Sequence, residues 1–207
     1  MPDRPIPLHQ RVGALGYDLI MRGPEALYFG PKRRKLVRSL GGHVLEIGAG
    51  TGLSLSHYHS GATVVATEPD LASVARLLER AHDAPPDVCV VAADATRLPF
   101  ADSTFDALVC HLALCTIPDP HAALAEAVRV LKPGAPVRFL EHVRSDGRFW
   151  SSVQDTLAPT WHRVASGCRL NQDTETIVRA SGLHVERVQR AGGLIFPVRL
   201  IWARMPR

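Results

Sequence analysis

The chain has 207 residues, 46% of them apolar, and a formal net charge of +4. That length and apolar content suit one domain large enough to bury a core, and argue against a disordered or fibrous chain. No run of eighteen apolar residues occurs and Met1-Pro2-Asp3-Arg4-Pro5 has no apolar signal core, so neither a membrane span nor secretion is expected, and the cytoplasm is the expected location.

Residues 8–40 read as a helical prelude, broken near Gly23-Pro24 and Gly30-Pro31. Residues 1–40 carry eight Lys/Arg against three Asp/Glu, whereas the remainder carries sixteen against seventeen. The basic excess centres on Lys32-Arg33-Arg34-Lys35 and Arg38. It reads first as a solvated helix face with Leu36, Val37 and Leu40 turned inward, and second as a patch drawn to an anionic membrane surface or substrate. Strand signals then follow at His43–Ile47, Thr63–Thr67, Val88–Ala92, Phe105–Cys110 and Pro136–Glu141. Between them, Asp70 caps a helix with Leu71, Val74, Ala75 and Leu78 on one face, and Asp119-Pro120 opens another that Lys132-Pro133-Gly134 ends. Apolar strands alternating with amphipathic helices predict a parallel sheet covered on both faces. A helix from about Asp173 to Ala180 precedes strands Leu183–Val188 and Leu194–Trp202, the latter interrupted by Pro197. The connection between those strands is too short for a parallel crossover, so the last strand is expected to be antiparallel.

Cys89, Cys110, Cys115 and Cys168 form no CxxC pair; Cys89 and Cys110 lie in apolar runs and read as small hydrophobes. No disulfide framework and no metal are expected.

The first strand runs straight into Gly48-Ala49-Gly50-Thr51-Gly52, and Glu68 follows twenty residues after Gly48. Glycines let a turn approach a ligand closely, and a carboxylate at that distance can accept from two ribose hydroxyls. The pattern points to an adenosine-containing cofactor. A dinucleotide turn would want a small residue where Leu53 stands, and here Glu46 precedes three glycines spaced Gly-x-Gly-x-Gly.

On Glu46, the three glycines, Glu68 and the antiparallel tail, the chain resembles the class I S-adenosylmethionine-dependent methyltransferases from about residue 12 to its end. The resemblance implies an α/β, Rossmann-like, seven-stranded, mostly parallel sheet with its last strand antiparallel and helices on both faces. It implies one domain over residues 1–207, in which residues 1–40 line the active site of a catalytic core at 41–207. Gly48, Ala49 and Gly50 would pass under the methionine part and sugar of S-adenosylmethionine, with Glu46 in the same motif. Glu68 would hold the ribose with Pro69 beside the adenine, and Asp94-Ala95 would meet the adenine edge. His111 would sit near the methionine moiety and Tyr17 would close over its carboxylate.

The acceptor is read by elimination and by position. The stretch Cys110-His111-Leu112-Ala113-Leu114-Cys115 is not the Asn/Asp-Pro-Pro-aromatic motif of DNA amino-methyltransferases, and no Pro-Cys pair or catechol-type acidic set occurs. Nucleic acid and catalytic magnesium are therefore not expected. Glu141-His142-Val143 falls at the carboxyl end of the fifth strand, where open α/β sheets bind ligands, and His142 is the candidate base. Beyond it Phe149-Trp150, Gln154 and Trp161-His162 suggest an apolar pocket wall. Together with Gly167-Cys168, this segment resembles the thiol S-methyltransferases and their bacterial relatives, a neighbourhood that includes enzymes resembling phosphatidylethanolamine N-methyltransferases. The implied activity is direct displacement of a methyl group onto a small apolar acceptor, thiol favoured, releasing S-adenosylhomocysteine. Methylation of nitrogen or oxygen on a lipid head group or polar metabolite, and non-catalytic cofactor binding by a regulatory protein, are the alternatives. For a hydroxyl acceptor, His142 or Glu141 would be needed as a base.

Overall fold

The computed structural model describes residues 8–165 and 167–207, with side-chain surroundings from residue 16 onward. The expectation for Met1–Pro5 falls outside those residues. Strands β1 (Gly42–Ile47), β2 (Ala62–Thr67), β3 (Asp87–Val91), β4 (Ala107–His111), β5 (Pro136–His142), β6 (His184–Gly192) and β7 (Pro197–Arg204) form one sheet in the order β3-β2-β1-β4-β5-β7-β6. All neighbours pair in parallel except β7, which runs antiparallel to both β5 and β6. The expected fold class, with a lone antiparallel last strand, is the one observed.

Period-two alternation builds two cores. Leu45, Ile47, Leu108 and Cys110 point to one face, where they meet Leu124 and Ala127 of α4 (Pro120–Val130) and Val178 of α6 (Thr174–Ala180). Val44, Ala107 and Val109 point to the other, against Leu36 and Val37 of α2 (Gly30–Val37) and Leu77 of α3 (Leu71–His82). Each buried Leu or Val contributes roughly 1.5–3 kcal/mol, and the two faces together fix the register of the central strands. Asp70 and Asp119 cap α3 and α4 by accepting from backbone N–H groups of Ser73, and of His121 and Ala122.

Four expectations need correction. The prelude is not broken: α1 (Leu8–Pro24) runs through a π-helical segment, Glu25–Phe29, into α2. Pro31 lacks an N–H and Gly30 reaches back to the Glu25 carbonyl, so the ladder widens rather than ending. Cys89 is exposed, because β3 is an edge strand rather than a buried one. Phe105 is a core side chain ahead of β4, bridging to Leu131, not a residue of the strand. Finally, β7 begins at Pro197 rather than Leu194, which places the missing N–H at a strand's first position. No helix among the described residues is long and apolar enough to cross a membrane.

Candidate active site

The turn after β1 divides its glycines between packing and opening. Gly48, Gly50 and Gly52 all have left-handed backbones, with φ of +62°, +57° and +87°. A Cβ on Gly48 would lie 2.4 Å from the Ala113 Cβ, and one on Gly52 2.8 Å from Leu77 Cδ1, whereas one on Gly50 would meet nothing within 4 Å. Gly48 and Gly52 are thus required by neighbours, and Gly50 faces open space. Beside it, at the end of β2, Glu68 accepts from the Gly50 N–H at 2.9 Å and from the Asp70 N–H at 3.0 Å. Burial raises its pKa, opposed by those two amides. Each carboxylate oxygen keeps a second lone pair.

Pro69 follows, exposed, and Asp94 lies exposed after the adjacent strand with Ala95 buried behind it. Asp94 Oδ1 accepts from the N–H and hydroxyl of Thr96, both at 2.8 Å, which shapes the turn and leaves Oδ2 without a protein partner among the described residues.

Under the turn is a buried polar network. Glu46, 1% exposed, accepts from the Tyr58 hydroxyl at 2.8 Å. Burial raises its pKa, while hydrogen bonds from Ser54 and Tyr58 and the Arg33 charge pull it down. His111, buried at the end of β4, has Nδ1 3.1 Å from Ser54 Oγ and a buried Nε2 with no partner among the described residues. Burial, then the Arg33 charge, holds its pKa well below the usual imidazole value, so it is neutral. Arg33 joins these groups: Nε donates to Glu25 at 2.9 Å and Nη1 to Ser54 Oγ at 3.0 Å. The sequence placed Arg33 on a solvated face; it is 4% exposed. Its spacing to Leu36, Val37 and Leu40, which are buried as expected, carries the signal that would have found it.

The prelude is clasped over this floor by Asp18, another residue the sequence reading missed. Its carboxylate accepts from Thr51 Oγ1 at 2.6 Å and pairs with Arg80 at 2.9 Å and Arg76 at 3.2 Å on α3. Tyr17, next to it, is partly exposed; burial raises its hydroxyl pKa, and Arg33, Glu25, Asp18 and Cys115 all lie within electrostatic reach.

On the far side of the same strand ends, Glu141 is fully buried and accepts from the N–H groups of Ala113 and Leu114 at 3.0 Å and of Cys115 at 3.3 Å. Burial raises its pKa and the three amides oppose the rise. It anchors the turn after β4, where Leu112 adopts a left-handed φ of +57°. His142 is half-exposed, edge-on to Phe29, with Nδ1 3.8 Å from Cys168 Sγ. Cys168 Sγ in turn lies 3.5 Å from Cys115 Sγ. Cys168 is the more acidic of the two thiols, held down first by its hydrogen bond with Cys115 and then by His142, while Cys115 is pushed well up.

The aromatics expected to form a wall fall in two pairs. On α5 (Arg148–Val164), Phe149 is 70% exposed and meets Trp150 edge-to-face, whereas Trp161 packs on Phe196. Gln154 is buried as a clamp, donating to the carbonyls of Val143, Leu170 and Ile195 and accepting from the Ser145 N–H. Phe149 lies about 100° off the helix face that Trp150, Gln154 and Trp161 share, and the two tryptophans are separated by about 16 Å along the helix axis.

Comparison with known proteins accords with this arrangement. A methyltransferase-domain family profile matches residues 45–139. The human thiol S-methyltransferase TMT1A is 33% identical over 144 residues, 67% of this chain and 59% of that protein. The chain thus spans little more than half the length of that relative. The phosphatidylethanolamine N-methyltransferase of Cereibacter sphaeroides is 31% identical over 168 residues, 74% of this chain and 83% of that protein. A methyltransferase solved in complex with the Haloferax volcanii Trm112 activator shares the fold with a TM-score of 0.74 at 18% identity, covering 98% of this chain and 100% of that one. The chain belongs to the class I S-adenosylmethionine-dependent methyltransferases.

Proposed function

We propose that this chain transfers a methyl group from S-adenosylmethionine to the thiol of a small apolar acceptor. The residues fit the donor: Gly50 opens on free space, Glu68 keeps lone pairs beside it, and the buried Nε2 of His111 has no partner among the described residues. Gly48, Ala49 and Gly50 would pass beneath the donor's methionine and sugar, with Glu46 stiffening the turn from below. Glu68 would take the ribose hydroxyls, Pro69 and Asp94-Ala95 the adenine, and His111 and Tyr17 the methionine end. Bound there, S-adenosylmethionine supplies an electrophilic methyl group on a sulfonium. Residues 1–40 would line this site of the 41–207 core through the Asp18 clasp.

The observation that carries the thiol reading is the engagement of Glu141. A hydroxyl or ammonium acceptor must lose a proton before attack, and the one carboxylate beside His142 in sequence is buried and bound by three amides. A thiol, with a pKa of about 8.5, is partly ionised without a base. His142 then serves as a binding neighbour of the acceptor sulfur. The identity to thiol S-methyltransferases supports this reading. The long match to a phosphatidylethanolamine N-methyltransferase supports a second one, an amine head group. Exposed Leu19, Ile20, Leu27, Leu194 and Phe196, on the prelude and the β6–β7 turn, suit an apolar acceptor in either case.

Methyl-labelled donor offered with matched apolar thiols, amines and alcohols separates these readings. The label is expected in the thioether. Label in the amine alone replaces the thiol reading with the head-group one, and donor binding without transfer to any class returns the regulatory alternative.

A further inference from the structure

Three side chains from separate elements converge beside His142. Cys115 comes from the loop after β4, His142 from the end of β5 and Cys168 from the loop after α5. Their ligand atoms all lie within 4.8 Å of one another, with edges of 3.5 Å between the sulfurs and 3.8 Å from Cys168 Sγ to His142 Nδ1. Tetrahedral zinc, with Zn–S of about 2.3 Å and Zn–N of about 2.0 Å, sets sulfurs about 3.8 Å apart and sulfur about 3.5 Å from nitrogen. Both measured edges are within a few tenths of an ångström of those values. Hydrogen bonds from thiol to thiol and between thiol and imidazole account for each edge singly; the convergence of all three ligand atoms is what a metal site adds.

The backbone around the three residues is pinned. Arg169 N–H donates to the Cys115 carbonyl at 2.9 Å, Thr174 Oγ1 to the His142 carbonyl at 3.1 Å, and Cys168 N–H to the Ala165 carbonyl at 2.9 Å. These bonds fix the positions of the three backbones from which the side chains reach. Both cysteines are buried and His142 is half-exposed.

We propose that Cys115, His142 and Cys168 form a three-ligand site for Zn²⁺ whose fourth position takes the acceptor's sulfur. Three protein ligands with one open position is the pattern of catalytic rather than structural zinc. The role of the fourth position rests on the thiol reading above; the metal site itself does not. On binding, the acceptor thiol gives its proton to solvent and becomes a metal-held thiolate. A lone pair of that sulfur forms the bond to the methyl carbon while the methyl–sulfonium bond breaks, its electron pair staying on the departing thioether sulfur. No group is oxidised or reduced. The neutral methyl thioether is a poor ligand and leaves.

Chelator-stripped, reduced protein titrated anaerobically with Co²⁺ tests the site independently of activity. The expected result is thiolate-to-cobalt charge-transfer absorption saturating at one ion per chain and displaced by stoichiometric Zn²⁺. Cys168→Ser should weaken cobalt binding by at least about a hundredfold, since outer-shell changes alone cost 10–100-fold, and His142→Gln should weaken it while shifting the bands. Cys89→Ser, at the exposed cysteine, should change nothing. Retained S-adenosylmethionine binding by each variant shows that it is folded. Absence of the bands in the parent chain, or an unchanged cobalt affinity in Cys168→Ser, overturns the site. Adding an apolar thiol without the methyl donor should shift the bands; unmoved bands overturn the fourth-ligand role. Full-rate thiol methylation by the stripped chain also overturns that role and leaves the thiol reading standing, whereas tight metal binding without thiol methylation supports the site and removes that reading.

Discussion

Two glycines two residues apart carry different tasks. Gly48→Ala forces a Cβ to 2.4 Å from the Ala113 Cβ at a left-handed φ, and is expected to cost about 2–4 kcal/mol in a denaturant titration. Gly50→Ala meets open space, so only the backbone strain of about 1 kcal/mol is expected. The proposed donor site lies there, however, so S-adenosylmethionine affinity should fall at least tenfold by calorimetry; an unchanged affinity would remove Gly50 from the binding surface. His111 gives the pH dependence a sign. Its native pKa is depressed, so below about pH 6.5 the unfolded imidazole takes a proton that the native one refuses. Stability is therefore lost as pH falls through that region, by up to about 1.4 kcal/mol per unit, until the native pKa is reached. The buried glutamates act in the opposite sense at lower pH, so the readout is the difference between the parent and His111→Gln. Equal slopes in the two would show that His111 titrates as an exposed imidazole. The glycines and Glu68 were legible because their pattern is local in sequence. Arg33 and the anchoring of Glu141 were not, because their partners come from elements far along the chain.

At the scale of elements, the prelude is joined to the core by charge as well as by apolar packing. Arg33 crosses from α2 to the loop after the glycine turn, and its partner Glu25 has an upward-shifted pKa through burial despite the guanidinium. Arg33→Met leaves that carboxylate buried without its cation, at an expected cost of about 3 kcal/mol. Adding Glu25→Gln should recover part of the loss. A double variant no more stable than the sum of the singles would show that the two charges are not coupled. The strands and capped helices were readable from alternation, Asp caps and Pro-Gly stops. The π-helical segment was not, since proline and glycine mark a break equally well when packing against α2 is out of view. On α5, helical phase sets Phe149 apart from Trp150 and Trp161, which composition alone does not show.

For the molecule as a whole, the carboxyl ends of the parallel neighbours β2, β1, β4 and β5 lie along one edge of the sheet, where the donor and acceptor sites are proposed. The sheet order places Glu68 and the glycine turn on neighbouring strands, and His111 and His142 on the next two. Cys115, His142 and Cys168 are distant in sequence and share no spacing motif, so only the folded topology brings them within reach of one another. The open glycine turn and Glu68 are proposed to hold the donor. Isothermal titration of S-adenosylmethionine into the parent chain and Glu68→Ala tests this directly. One site per chain is expected in the parent, with affinity at least tenfold weaker in the variant, since hydrogen bonds to a charged group are worth about 1.5–3 kcal/mol. Equal affinity in the two folded proteins would contradict it.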